Sequence, residues 1–279
     1  MKVQTNTLTA SDGTVLSTQT WLPDSVTTPK GVIVLSHGYA EHMGRYNHVA
    51  EFFTKDGFIV TGFDQRGHGR SKGKQFGYFD KFQTSVDDLH LVVRGLNPAW
   101  RAVPLYMVGH SVGGLLTLSY MIRYAPPVSG IITSGAALDI GADVSGLVRG
   151  ILRQVASIVP TFGVSQLASS IISKDPAVVK AYDGDPYVFR GKIPARTAVE
   201  LYDAGQTCRQ NLGKIERPIL ILHGGADKLI GPQCAEWIYD GVSSTDKTKK
   251  IYDGLYHEIL NEPEKVTVLN DIRQWIAKH

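Results

Sequence analysis

Short aliphatic and β-branched runs, each closed by glycine, proline or aspartate, recur at "GVIVLSHG" (31–38), "FIVTGFDQRG" (58–67), "PLYMVGHS" (104–111), "SGIITSGAA" (129–137), "RPILILHGG" (217–225) and "KKIYDG" (249–254). Uninterrupted apolar runs of this length predict strands buried on both faces. Between them the period lengthens. In "RYNHVAEFFTKDG" Val49, Phe52 and Phe53 share one helical face, and "SVDDLHLVVRGL" is a second helical pattern ahead of the run at 104. Strands alternating with helices predict an α/β fold, a mostly parallel central sheet with helices on both faces.

The alternation lapses from about residue 139 to 214, where no strand is predicted. There "DVSGLVRGILRQVASIVP" places Val144, Leu147, Val148, Ile151, Leu152, Val155, Ile158 and Val159 at helical spacing, opposite Arg149 and Arg153. Open α/β sheets bind ligands at the C-terminal edge of their strands, so a helical insertion at this point is expected to be a cap or lid. Most of its apolar stripe is expected to pack on the core. The organisation read from the chain is a core in two parts, 1–138 and 215–279, with the cap at 139–214.

A chain of 279 residues, 43% of them hydrophobic, is long enough for one sizeable core. The N-terminal "MKVQTNTLTASDGTVLS" lacks the apolar stretch of an export signal, and no window approaches the roughly 18 apolar residues of a membrane span. Only Cys208 and Cys234 are present, too few for a disulfide framework. A cytoplasmic protein is expected. The net charge is +3, and the one dense basic run, "DKTKK" (246–250), has no interleaved aromatics, so it reads as a solvated turn and no nucleic-acid partner is expected. Nine histidines include no HExxH and no Cys/His cluster, so no metal and no cofactor is expected. Nothing in the chain specifies an oligomeric state.

Candidate chemistry centres on Gly109-His110-Ser111-Val112-Gly113, a G-x-S-x-G sequence with "LYMV" before it and "GGLLTLSYMIRY" after it. The motif is informative when a strand runs into it and a helix leaves it, because the serine then sits exposed on a sharp turn that needs side-chain-free neighbours. Ser111 is the candidate nucleophile. The Val112 N–H, at the start of the helix, is a candidate oxyanion donor. A serine hydroxyl needs a histidine base and a carboxylate to orient it, in the chain order Ser, Asp or Glu, His. Of His223, His257 and His279, His223 is expected to shape the loop after its strand and His279 is terminal. His257, in "GLYHEIL", follows the last strand, is expected to open a helix, and is the candidate base. Asp227, a few residues beyond a core strand, is the preferred acid. Asp253 is the alternative, and Asp175, Asp183 and Asp185 fall in the insertion. The second oxyanion donor is expected in "VLSHGYAEH", at the Tyr39 N–H, with His37 bracing that loop. "DQRGHGRS" (64–71) reads as a structural turn.

Together "HGYAEHMGRY", "DQRGHGRS", "GHSVGG", "DPAVVKAYDGDP", "HGGADKLI" and "GLYHEILNEPE" resemble the monoacylglycerol lipase family of the α/β-hydrolase fold, bacterial branch, from about residue 30 onward. The resemblance implies hydrolysis of monoacylglycerol to fatty acid and glycerol by Ser111, Asp227 and His257, with the Tyr39 and Val112 amides as oxyanion hole. It also implies that Glu41, Arg45 and Tyr182 form the polar end where glycerol sits, and that the cap carries an apolar acyl channel. Glu41 and Arg45, at i and i+4, also fit an ion pair bracing their loop. Val112 stands where the family often has methionine, and Tyr39 where a small residue is frequent, changes that bear on chain-length preference. The amphipathic cap suggests transient contact with a membrane surface. The alternatives are a carboxylesterase or lysophospholipase with the same triad, and a catalytically silent binding protein. A dehalogenase or epoxide hydrolase would need an aspartate in place of Ser111.

Overall fold

The computed structural model describes residues 1–24, 28–141 and 144–279. Among these, the strands are β1 (Lys2–Thr9), β2 (Val15–Leu22), β3 (Val32–Ser36), β4 (Ile59–Phe63), β5 (Leu105–His110), β6 (Gly130–Ser134), β7 (Gly163–Ser165), β8 (Ile193–Pro194), β9 (Ile219–Gly224) and β10 (Lys247–Tyr252). The helices are α1 (Asn47–Lys55), α2 (Phe82–Arg94), α3 (Val112–Tyr124), α4 (Gly146–Ile158), α5 (Pro176–Gly184), α6 (Ala195–Asn211), α7 (Gln233–Gly241) and α8 (Lys265–Ile276). Eight strands form one sheet in the order β1-β2-β4-β3-β5-β6-β9-β10. β2 runs antiparallel to both β1 and β4, and the remaining pairs are parallel.

The uninterrupted apolar runs follow from this layering. Val32 and Val34 of β3 point into the layer shared with α2 and α3, beside Leu89, Leu115 and Leu116. Ile33 and Leu35 point the other way, to Val49 and Phe53 of α1 and Ile272 of α8. In β9, Ile219 and Ile221 divide from Leu220 and Leu222 in the same manner. With side chains alternating across a sheet covered on both faces, apolar residues are favoured at successive positions, and the few polar ones, such as Thr61 and Thr133, are small and buried. Burying each such side chain is worth about 1.5–3 kcal/mol, so a charge at Ile33 or Ile221 would be disruptive.

Four expectations are corrected. The hairpin β1–β2 leaves no mark in the sequence, because β1 is a polar edge strand, exposed over nearly all its length, with no buried face to set a period. A short antiparallel pair, β7 with β8, lies inside the stretch expected to hold no strand. The basic "DKTKK" is not a turn: Lys247–Lys250 lie on edge strand β10, where Lys247 Nζ donates to the Tyr239 and Val242 carbonyls and Lys250 pairs with Asp271. Charged edges of this kind oppose strand addition.

The fourth correction concerns α4. Its inner edge, Leu152, Val155 and Ala156, packs on Ala195 and Val199 of α6, but Leu147 is 78% and Ile158 77% exposed, and Val148, Ile151 and Val159 are exposed too. One helix covers only a narrow stripe of its neighbour, and α4 has α6 alone as its main helical partner. Helical periodicity reports that a face is apolar without reporting what covers it. Ala142 and Asp143, at the start of this expected insertion, lie outside the described residues. Among those described, no helix is long and apolar enough to cross a membrane.

Candidate active site

The site gathers at the C-terminal ends of β3, β5 and β9. β5 ends at His110 and α3 begins at Val112, leaving Ser111 between them at φ 55° and ψ −121°. Positive φ in a residue with a side chain costs on the order of 1–3 kcal/mol and persists only where its surroundings impose it. Here the Ser111 N–H donates to the Ser134 carbonyl (2.9 Å), and the Ser111 carbonyl accepts from the amides of Gly114 (2.9 Å), Leu115 (3.1 Å) and Ala137 (3.1 Å). The flanking glycines are steric requirements. A Cβ on Gly113 would lie 2.1 Å from the Ser36 carbonyl oxygen, and one on Gly109 2.3 Å from that of Gly113.

Ser111 Oγ donates to His257 Nε2 at 2.8 Å, and His257 Nδ1 donates to Asp227 Oδ2 at 2.7 Å. A carboxylate only accepts, which puts the imidazole proton on Nδ1 and leaves Nε2 free to take the serine proton. Asp227 stands three residues beyond β9. Its Oδ1 accepts from the amides of Leu229 (2.8 Å) and Ile230 (3.0 Å), and its Oδ2 also meets His223 Nε2 at 3.2 Å. Burial opposes its charge, but the hydrogen bonds from His223 and His257 outweigh it and hold the carboxyl well below the usual carboxylate range. His223 therefore touches the acid as well as the Ile230 carbonyl (2.9 Å), the loop contact expected of it. Asp253 is exposed, Asp175 caps α5, Asp183 accepts from the Ser169 hydroxyl and Asp185 pairs with His42.

His257 does not open a helix. It lies in a run of turns, and α8 starts only at Lys265. Pro263 disfavours helical geometry at Glu262, whose buried carboxylate accepts from the amides of Tyr256 (2.9 Å) and Lys174 (3.2 Å) and the Ser173 hydroxyl (2.8 Å). The Glu258 amide donates to the Ile172 carbonyl (2.8 Å). The loop thus satisfies its polar groups outside a helix, and ties itself to segment 172–174.

The amides of Tyr39 and Val112 donate to no protein group among the described residues, whereas that of Gly38 is taken by Glu41 Oε1 at 2.6 Å. His37 braces the loop as expected: Nε2 accepts from the Gln65 amide (2.9 Å) and Nδ1 donates to the Gly38 carbonyl (2.7 Å). Burial lowers its pKa and keeps it neutral. The Tyr39 hydroxyl donates to the Gly77 carbonyl (2.7 Å), and its ring meets His68 and Phe189 edge-on.

A cavity of about 30 Å³ opens beside Ser111 and His257. Its polar wall is Glu41, Glu258, His110 and Tyr182, faced by Leu167, Ile172 and Leu229. Arg45 forks onto Glu258 with two 2.7 Å bonds, reaches Glu41 Oε2 at 2.7 Å, and lies 4.8 Å from the centre of the Tyr182 ring. Burial opposes ionisation of Glu41, but Arg45 leads the interactions that hold its pKa below the ordinary value. The Tyr182 hydroxyl is buried without a partner among the described residues. Glu41 and Tyr182 thus line one wall of the cavity, and Arg45 stands behind that wall without lining it. Two of its members, Glu258 and His110, drew no role from the sequence. Burial pushes the His110 pKa down to about 3, so a neutral ring lies 4.8 Å from that of His257. A separate apolar cavity of about 450 Å³ lies between α4 and α6, lined by Val148, Leu152, Val155, Phe162, Val199 and Leu201 among others.

An elbow serine at the sheet's C-terminal edge, a histidine and a buried acid in this chain order identify a class of hydrolase, and the sequence profile of the family described as "Serine aminopeptidase, S33" matches residues 27–264. The chain belongs to that family. This S33-family chain is 39% identical over 259 residues to the monoacylglycerol lipase of Mycolicibacterium smegmatis, a match spanning 93% of this chain and 91% of that protein. It is 28% identical over 263 residues to phospholipase YtpA of Bacillus subtilis, covering 93% of this chain and 99% of that one. Its fold superposes on a soluble variant of monoglyceride lipase from Saccharomyces cerevisiae in complex with a substrate analog, with a TM-score of 0.86, 25% identity, and coverage of 100% and 95%. The α/β-hydrolase fold and the monoacylglycerol-lipase resemblance read from the motifs both hold, and the chain is a serine hydrolase.

Proposed function

We propose that the chain hydrolyses monoacylglycerol to fatty acid and glycerol through an acyl-enzyme on Ser111. The observation that carries this reading is the unbroken hydrogen-bonded chain from Ser111 through His257 to Asp227 on a strained elbow. Ser111 Oγ attacks the ester carbonyl while His257 Nε2 takes its proton. The carbonyl oxygen, now negative, accepts from the Tyr39 and Val112 amides. His257 then returns the proton to the departing glycerol oxygen, and water repeats the sequence on the acyl-enzyme. Asp227 remains ionised throughout and stabilises the imidazolium.

Glu41, Arg45 and Tyr182 stand at the alcohol side of the site in this reading, and the apolar cavity between α4 and α6 takes the acyl chain. Segment 139–214 is the cap. Its Leu167, Ile172 and Tyr182 reach the cavity at Ser111, and its exposed Leu147, Ile151 and Ile158 form the face that touches a lipid surface. Turnover of 1- and 2-monoacylglycerols, lysophospholipid and short p-nitrophenyl esters by wild type and Ser111→Ala tests the reaction: preference for monoacylglycerol and loss of at least ~10³-fold on serine removal are expected. Full activity of Ser111→Ala would refute the mechanism, and preference for lysophospholipid would overturn the substrate. For the cap, Leu147→Ser with Ile151→Ser should reduce co-sedimentation with phosphatidylcholine vesicles, and equal sedimentation refutes the surface contact.

A further inference from the structure

Two carboxylates, Glu41 and Glu258, share the single guanidinium of Arg45 beside the reacting serine. Arg45 Nη1 and Nη2 are spent on them, its face is covered by Tyr182, and it does not line the cavity, whereas both carboxylates do. Among the described residues no Lys or Arg lines this cavity, and Arg190 lines the neighbouring one together with Asp183. His110 is neutral, Lys174 pairs with Glu264, Lys228 lies over Tyr256, and neither lysine reaches the cavity wall. Glu41 Oε1 is filled by the Gly38 amide and the Tyr46 hydroxyl, and Glu258 Oε2 by Arg45 and Asn261, so the wall presents one uncompensated negative charge with acceptor capacity left on Glu41 Oε2 and Glu258 Oε1, next to the Tyr182 hydroxyl, which has no partner among the described residues. Hydroxyl donors suit such a wall. A phosphate is repelled by it and finds no guanidinium in the lining of this cavity.

Resting on the function proposed above, we propose that Glu258, together with Glu41, is a specificity-determining residue that admits neutral polyol head groups and excludes anionic ones. Across ~6 Å at an effective dielectric of ~20, one unit charge is worth about a 100-fold discrimination.

The test compares kcat/KM for three octanoyl esters below their micelle concentrations: 1-octanoylglycerol, its 3-phosphate, and a neutral 3-ether of similar bulk. Wild type should turn over the phosphate about 100-fold less well than the neutral ether. Equal rejection of ether and phosphate would make size the discriminator and overturn the proposal, as would equal turnover of all three, and both comparisons need no variant. Glu258→Gln, which keeps the shape and removes one charge, should raise the phosphate-to-ether ratio 10-fold or more. An unchanged ratio in a variant whose Ser111 still labels with a fluorophosphonate overturns the assignment to Glu258. Should Glu258→Gln fail to label, Glu258→Asp must retain the wild-type ratio, and a ratio shifted toward the phosphate in that charge-preserving variant also overturns it. Failure of the underlying reading looks different: 1-octanoylglycerol would then be hydrolysed equally by wild type and Ser111→Ala.

Discussion

Replacing Asp227 by asparagine changes the tautomer of His257, and the structure fixes in which sense. Two amides, of Leu229 and Ile230, donate to Asp227 Oδ1 at 2.8 and 3.0 Å, so that position must remain an oxygen in the variant. The new amide nitrogen is then forced to the Oδ2 position, facing His257 Nδ1 at 2.7 Å and His223 Nε2 at 3.2 Å. An NH₂ group donates to Nδ1, which moves the imidazole proton to Nε2, where it points at Ser111 Oγ and can no longer receive the serine proton. The same change in a protease triad, a worked case outside this protein, lowers kcat by about 10⁴, and a loss of that order is expected here.

Stability should fall as well, because His223 loses an acceptor. The Asp227 pKa is depressed in the fold, so its contribution is fully present above the unfolded value of about 3.9 and is lost as pH falls below it. The assay is kcat on a monoacylglycerol at pH 7 beside urea unfolding at pH 7 and pH 3, with Asp253→Asn as the paired control. Asp253 is exposed four residues before His257, and its variant should keep wild-type kcat. Activity of Asp227→Asn within ten-fold of wild type, or an equal loss in Asp253→Asn, would falsify the tautomer argument.

Three further outcomes are expected. Ser111→Gly and Ser111→Ala should both be inactive, but the glycine variant should be more stable by about 1 kcal/mol because it removes the cost of φ 55°; thermal melts that rank alanine above glycine contradict this. Gly113→Ala places a Cβ 2.1 Å from the Ser36 carbonyl oxygen and should destabilise by ~3 kcal/mol or more, so an unchanged urea midpoint would show that the elbow can yield. Burial of His68 lowers its pKa to about 3, so the unfolded chain binds the extra proton first and stability is lost as pH falls from about 6.5 toward 3. His68→Gln should shrink the stability lost between pH 7 and pH 5 by about 2 kcal/mol, and an unaltered pH dependence in urea unfolding argues against a neutral His68.

How far the chain could be read depended on whether a residue's constraint is local. Strands β3, β4, β5, β6 and β9 were legible because burial on both faces favours apolar residues along their length, and β1 was not, because an exposed edge demands none. Ser111 announced itself through Gly109 and Gly113, which carbonyl oxygens 2.1–2.3 Å from any Cβ would forbid to be anything larger. Asp227 was separable from Asp253 by its distance beyond a recognisable strand. The α4 stripe shows where such reasoning fails, since the same period serves a face turned to the core, to a cavity or outward.

Glu258 marks a deeper limit. It reaches Arg45 across 213 positions of sequence, and no turn, period or glycine beside it records that the guanidinium is already shared with Glu41. The atoms proposed to react are held by turns and strand ends, which leave signatures in neighbouring residues. The charge that surrounds those atoms is assembled from distant loops, so the chemistry proposed for this site was readable from the chain while the head-group preference proposed for it rests on the fold.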